Sequence, residues 1–176
     1  MGKGYLVLGE LTDYITGKTI KDTHDEQYRQ KLARLLVQKK GYQKKDIKTG
    51  CELHVKAGDK NAISIIDLMV TLSGKICMII KYAPGSLVTR RRTVLAASRL
   101  TADYQVPFVV VTNGEDAEVI DGSTGNVISN GLDSIPSKPE IIKNTDDKDF
   151  KEISAKQVIM ESRIIYALEV DGSCQI

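Results

Sequence analysis

An acidic residue and a basic residue each interrupt an apolar stretch of this sequence. Asp67 lies within residues 63–70, where every neighbour except Ser64 is apolar, and Lys81 follows the apolar run 76–80. A carboxylate among apolar neighbours is costly to bury unless it is paired, hydrogen-bonded or metal-bound. The residues themselves leave two interpretations open: an ion pair that ends both segments, or an acid and a lysine that converge on a phosphate group.

Both segments are predicted to be strands, preceded by a third strand. Residues 51–57 alternate between apolar and polar types, residues 62–72 are rich in Ile and Val, and residues 75–82 form another apolar run. Ser73-Gly74 is a hairpin turn signal between the last two segments. The three strands should therefore form an antiparallel meander that places the interrupting acid and lysine on neighbouring strands.

Helices are predicted on both sides of this meander. Thr23 and Glu26 fit a capping box at the start of the first helix, and Gly41 fits a stop after it. A second helix is expected over about 89–104, after the break at 83–86.

The rest of the chain completes an α/β pattern. An extended segment is expected over 5–21, strands over 106–112 and 117–120, a loop or linker over 130–151 with a short helix near 139–143, and a last helix over about 154–168. This order predicts a mixed central sheet flanked by helices. We expect one α/β domain over residues 1–135, and a polar linker with a C-terminal helix over 136–176.

Several short pieces occur in an order that resembles a known nuclease family. They are Glu26 to Leu32, Lys40-Gly41-Tyr42, Asp46-Ile47, Asp67, Ile80-Lys81-Tyr82 and Val106 to Gly114. The sequence is similar to the N-terminal nuclease-like domain of type I restriction enzyme R subunits, within the PD-(D/E)XK nuclease superfamily. The resemblance covers roughly residues 25–135 and implies a restriction-endonuclease-like fold.

The resemblance also implies a chemistry and the residues for it. Carboxylates would hold Mg²⁺, which orients and acidifies a water molecule, while a lysine stabilises charge on the phosphate during cleavage of DNA. Glu26 and Asp67 would be the metal ligands, and Lys81 would be the catalytic lysine. The sequence has no P-loop, so we do not expect this chain to carry the motor of an R subunit.

One position departs from the family's pattern. An active member carries a further acid two residues before the lysine, and this chain has Ile79 there. Glu52, Glu10 and Asp13 are candidates for a compensating acid, and the sequence does not choose among them. Two functions follow: a Mg²⁺-dependent endonuclease of reduced activity, or a catalytically inactive nuclease-like module that binds DNA or a protein partner.

A run of three arginines suggests a site for an anion. It begins the second predicted helix, which Ser86 or Thr89 could cap. Arginines in a first helical turn oppose the helix dipole, and a bound phosphate is one explanation of their presence. A solvated charge run and ion pairs with nearby acids are the alternatives. The residues expected to contact nucleic acid are Ser86, Arg90, Arg91 and Arg92.

Composition limits the remaining possibilities. Lys and Arg total 25 against 23 Asp and Glu, so bulk charge gives no argument for coating nucleic acid or membrane. The longest apolar runs are far too short to span a membrane, and the N terminus lacks a signal-peptide pattern. The three cysteines are expected to be reduced thiols in a cytoplasmic protein. The C-terminal helix is predicted either to dock on its own domain or to contact a partner or a second copy.

Overall fold

The computed structural model describes residues 6–170, so Cys174 and Tyr5 lie outside the described residues. It contains a small hairpin, a central sheet and four α-helices. In chain order the elements are β1 (Gly9–Thr12), β2 (Thr19–Asp22), α1 (His24–Gln38), β3 (Ile47–Ala57), β4 (Lys60–Leu72), β5 (Lys75–Tyr82), α2 (Arg91–Leu100), β6 (Phe108–Thr112), β7 (Ala117–Asp121), β8 (Val127–Asn130), α3 (Lys138–Asn144) and α4 (Ala155–Ile165).

The central sheet has six strands in the order β3-β4-β5-β6-β7-β8. Every neighbouring pair is antiparallel except β5 and β6, which are parallel and are joined by a crossover that contains α2. The predicted meander is confirmed. Its second turn places Ser73 at φ 49° and Gly74 at φ 80°, the left-handed pair that a two-residue type I′ hairpin requires.

Helices cover both faces of this sheet, so the predicted mixed α/β fold with a C-terminal helix is confirmed. On one face Leu36 of α1 and Ile141 of α3 pack on Val70 and Ile80. On the other face α2 and Ile165 of α4 pack on a second apolar cluster that includes β5 and β6. No helix among the described residues is long and apolar enough to cross a membrane.

The strand β4 changes its buried face at Asp67. Ala62 and Ile66 pack in the core under α2 and α4, whereas Leu68, which would share their face in a regular strand, packs in the core under α1. The β3–β4 pairing passes over Asp67 and its opposite residue Gly50, which has φ 59°. Glycine adopts this left-handed conformation without the penalty of a Cβ atom, which allows the change of face.

Asp67 is also the point where β4 separates from β5. The β4–β5 pairing begins at Leu68, opposite Ile80, so the first half of β4 pairs with β3 alone. The sheet therefore forks beside Asp67.

The second predicted helix is shorter than the sequence indicates. It occupies Arg91–Leu100 instead of about 89–104, because Tyr104 leaves the helix to form an isolated bridge with Glu152, and its hydroxyl oxygen accepts the N–H of Ile76 at 2.7 Å. The prediction that Ser86 or Thr89 caps this helix is wrong. The Thr89 hydroxyl donates to the Ser86 carbonyl at 2.9 Å, and no side chain caps α2.

The C-terminal helix docks on its own domain. Arg92 and Arg99 of α2 reach the buried carboxylate of Glu161 at 2.7 Å each. Val158 and Ile159 of this helix are exposed, and its buried positions are Glu161, Ser162 and Ile165. A contact of this helix with a second copy or another partner stays a prediction.

Candidate functional site

Asp67 lies at the fork of the sheet and is almost fully buried, with 5% of the side chain exposed. Arg29 Nε on α1 donates to one of its carboxylate oxygens, and the backbone N–H of Tyr82 donates to the other at 2.7 Å. Burial raises the pKa of Asp67, and the attraction of Arg29 and the Tyr82 N–H offsets this only in part. Of the two interpretations left open for Asp67 and Lys81, the ion pair between them is wrong, because the cationic partner of Asp67 is Arg29.

Lys81 has a different acidic partner. Its Nζ donates to Ser64 Oγ at 2.6 Å and to Glu169 Oε1 at 2.8 Å, and only 13% of its side chain is exposed. Glu169 belongs to the single π-helical turn Tyr166–Val170 that follows α4. The carboxylate that reaches Lys81 therefore comes from the C-terminal end of the described chain.

Glu26 occupies the first turn of α1, as the sequence predicts. Thr23 caps the helix by accepting the Glu26 N–H at 3.1 Å, but the Glu26 carboxylate does not complete the predicted capping box. It accepts instead from Gln30 Nε2 at 2.9 Å and from Arg29 Nη1 at 3.3 Å. Arg29 thus lies between Glu26 and Asp67 and bonds to both carboxylates.

A third carboxylate joins this network from the β1–β2 hairpin. Asp13 accepts from the second hydrogen of Gln30 Nε2 at 2.9 Å, and its other oxygen accepts the N–H groups of Ile15 and Thr16. Burial raises the pKa of Asp13, but the Thr16 and Gln30 hydrogen bonds outweigh it and hold the pKa below its usual value. Asp13 is thus the compensating-acid candidate that lies near Glu26.

These groups line one cavity of about 300 Å³, which we call the acid cavity. Its polar wall is the continuous chain Asp13, Gln30, Glu26, Arg29 and Asp67. The other two candidate acids lie elsewhere. Glu10 is exposed on β1, and the exposed Glu52 lies 3.3 Å from His54 on β3.

A second cavity, of about 430 Å³, is also lined by Asp67, and we call it the lysine cavity. Lys81, Arg29 and Arg90 supply its basic groups, and Asp25, Asp67 and Glu169 supply its acidic groups. Tyr82 stacks on Tyr28 beside it, with ring centres 5.6 Å apart. The two cavities share only Arg29, Ile65 and Asp67 among their lining residues.

Neither cavity fits Mg²⁺ as its side chains are arranged. Mg²⁺ requires oxygen ligands in near-octahedral geometry, but Arg29 lies between Asp67 and Glu26 and bonds to both. Burial lowers the pKa of Arg29, yet the two carboxylates outweigh it and raise the pKa, so the guanidinium stays charged. Ile79 is fully buried in the apolar core under α2. Within residues 6–170 no group of three or more His, Cys, Asp or Glu side chains could hold a metal ion.

Comparison with known proteins fixes the family. The family model of the type I restriction enzyme R protein N terminus matches residues 24–136 of the chain. The chain belongs to this family. Searches of curated proteins and of solved structures found no match. The match to the R-protein N terminus contains Glu26, Asp67, Lys81 and Arg90, and it ends before α4 and Glu169.

The three arginines of the predicted run have different surroundings. Arg91 forms two hydrogen bonds of 2.5 Å with Glu118, and Arg92 pairs with Glu161. Arg91 and Arg92 therefore form ion pairs with nearby acids, which was one of the alternatives to a phosphate site. Arg90 is exposed and lines the lysine cavity, and Ser86 is exposed in the preceding loop.

Three residues that line the two cavities were not predicted from the sequence. Arg29 and Gln30 stand three and four positions after Glu26, a spacing that places side chains together on a helix and that could have found them. Glu169 is 88 residues from Lys81 and carries no local signal of their contact.

Proposed function

We propose that this chain is a nuclease-like module that binds the phosphate backbone of DNA and does not cleave it. The observation that carries the proposal is the position of Arg29, which bonds to both Asp67 and Glu26. The two acids that the family resemblance assigns to a metal are thereby already paired with one cationic side chain of the protein. The apolar Ile79, at the position of the further acid, supports the same conclusion.

Support for binding comes from the lysine cavity and from the family. Lys81, Arg29 and Arg90 line this cavity together, and ammonium and guanidinium groups are the usual protein partners of phosphate oxygens. The family is that of a restriction enzyme subunit, and restriction enzymes act on DNA. Contacts of this kind hold the nucleic acid in position without reading its sequence.

The binding half of the proposal is tested by fluorescence anisotropy of a labelled DNA duplex over a range of salt concentrations. Arg90→Gln should weaken binding and reduce the slope of log affinity against log salt by about 1. The matched control is Arg163→Gln, which removes the same charge from an exposed position on α4. Equal affinities and slopes for the two variants would count against the lysine cavity as the binding surface.

The cleavage half is tested with supercoiled plasmid in Mg²⁺ and in Mn²⁺. The wild-type protein should leave the plasmid intact, as should Asp67→Asn and Lys81→Gln. Nicking by the wild type that both substitutions abolish would overturn the proposal.

A Mg²⁺-dependent endonuclease is the second candidate, and the acid cavity favours it. One cavity is lined by three carboxylates, those of Asp13, Glu26 and Asp67. Arg29 bridges Asp67 and Glu26, and Gln30 bridges Glu26 and Asp13, so the three acids lie close together. Arg29 would have to leave both acids before their oxygens could take a metal ion. In the plasmid assay this candidate predicts nicking that depends on Asp13 as well as on Asp67.

A further inference from the structure

The described chain ends in a turn that lies over the lysine cavity. After α4, the turn Tyr166–Val170 brings Leu168 and Glu169 into the cavity wall. Glu169 Oε1 is 2.8 Å from Lys81 Nζ, and 22% of the Glu169 side chain is exposed. Lys60 Nζ on β4 lies 4.9 Å from the centre of the Tyr166 ring.

The Glu169 carboxylate occupies the position that an anionic ligand of Lys81 would need. An ammonium group has three donors, and Lys81 directs two of them to Ser64 and Glu169. A phosphate oxygen is the same kind of charged acceptor as a carboxylate oxygen. A DNA phosphate and Glu169 cannot both lie against Lys81 without like-charge repulsion, so binding of one requires departure of the other.

Beyond Tyr166, which packs against the apolar cluster under α2, the turn is more exposed than the buried face of the helix before it. Ile165 and Glu161 anchor α4, and both are buried against the domain. Leu168 in the turn is 46% exposed, although it faces the cavity. The π-helix is rare in proteins, and where a single turn of it occurs, the turn frequently lies at a functional site. The turn can therefore leave Lys81 while α4 stays docked.

We infer that the turn Tyr166–Val170 is an internal competitor for the lysine cavity. In the free protein Glu169 occupies the anion site at Lys81, and a phosphate of bound DNA displaces it. This inference rests on the proposed function, since it concerns the same cavity and the same class of ligand. The turn that would compete with DNA lies outside residues 24–136, the region matched by the family model.

The test compares the affinities of variants for a labelled DNA duplex by anisotropy. Glu169→Gln should bind about fivefold more tightly than the wild type, the scale of one partly exposed ion pair. Glu152→Gln is the matched control, because it removes the same charge from an exposed residue near the opposite end of β5. In a Lys81→Gln background, Glu169→Gln should give no further gain.

Hydrogen exchange supplies a second measurement that does not depend on a substitution. The amides of residues 166–170 should exchange faster when the wild type is saturated with DNA, while those of α4 stay unchanged. Equal exchange in both states would overturn the inference.

The outcomes separate this inference from the proposed function. If the wild type binds DNA through Lys81 and Glu169→Gln binds equally well, the competitor is overturned and the proposed function stands. If no variant binds DNA, the proposed function fails, and the inference fails with it. The inference would also be overturned if the protein cleaved DNA in the presence of a metal ion and Glu169→Gln abolished this cleavage, because Glu169 would then be required for catalysis.

Discussion

The acid cavity and the lysine cavity share the Asp67 carboxylate in their walls, but their charged groups are paired in different ways. In the acid cavity, Asp13, Glu26 and Asp67 are joined through Gln30 and Arg29, which project from neighbouring positions of α1. In the lysine cavity, Lys81 is satisfied by Glu169, which arrives from a turn at the far end of the chain.

The difference shows which site can open at low cost. Breaking the acid network would leave Asp67 charged and nearly buried without its cation, which is strongly unfavourable. Opening the lysine cavity moves a half-exposed turn and leaves Lys81 beside the Ser64 hydroxyl. At the fork of the sheet, Arg29 of α1 therefore closes the acid cavity, whereas the turn that carries Glu169 closes the lysine cavity and can move away from it.

The largest effect is expected where the two cavities meet. Arg29→Leu should lower the free energy of unfolding by about 3 kcal/mol, because it leaves the buried Asp67 carboxylate without its cation. Urea denaturation measures this change. Arg163→Leu, at an exposed position on α4, should change the free energy by less than about 0.5 kcal/mol. Similar values for the two variants would mean that Arg29 does not hold the acid cavity closed.

The next effect should separate the cavities by function. Lys81→Gln should weaken DNA binding about tenfold and reduce the salt slope by about 1, as expected for loss of a phosphate contact. Glu26→Gln, which changes the acid cavity, should not weaken binding, since a carboxylate repels phosphate. Anisotropy with one duplex at several salt concentrations gives both quantities. A greater loss with Glu26→Gln than with Lys81→Gln would reverse the assignment of the two cavities.

The smallest effect concerns the pH dependence of the acid cavity. Because its hydrogen bonds hold the folded-state pKa of Asp13 below its usual value, the carboxylate contributes stability above about pH 4, and this is lost as the pH falls through the folded-state pKa. Asp13→Asn should cost about 1 kcal/mol at pH 7, and the difference from wild type should narrow below about pH 4.

Thermal unfolding at several pH values measures this difference. Asp103→Asn, at an exposed position after α2, serves as the matched control and should follow the wild type throughout. A constant gap between Asp13→Asn and the wild type from pH 7 to pH 3 would show that the charge of Asp13 plays no part.

Elements with strong local signals were predictable from the sequence. Thr23 and the apolar spacing after it located α1, and Ser73-Gly74 located the β4–β5 hairpin. The strand β8 was missed, because its four residues follow a turn and carry little pattern. The end of α2 was misplaced because Tyr104 pairs with Glu152, a contact that sequence periodicity does not report.

For the site, too, the features with a local sequence signal were predictable, and the contacts between distant parts of the chain were not. The family resemblance identified Glu26, Asp67 and Lys81, but their partners depend on the fold. The fork at Asp67 brings α1 and its Arg29 to the acid, and α4 carries Glu169 across to Lys81. The division of the chain after residue 135, the Mg²⁺ cofactor and the DNA partner stay predictions.

The most direct test of the closed acid cavity is Mn²⁺ binding measured by electron paramagnetic resonance, in which free Mn²⁺ gives the signal. Wild type and Asp67→Asn should leave equal concentrations of free ion, since Arg29 lies between Asp67 and Glu26 and bonds to both carboxylates. Binding of one equivalent of Mn²⁺ by the wild type that Asp67→Asn abolishes would contradict the account, and would show that these acids form a working metal site.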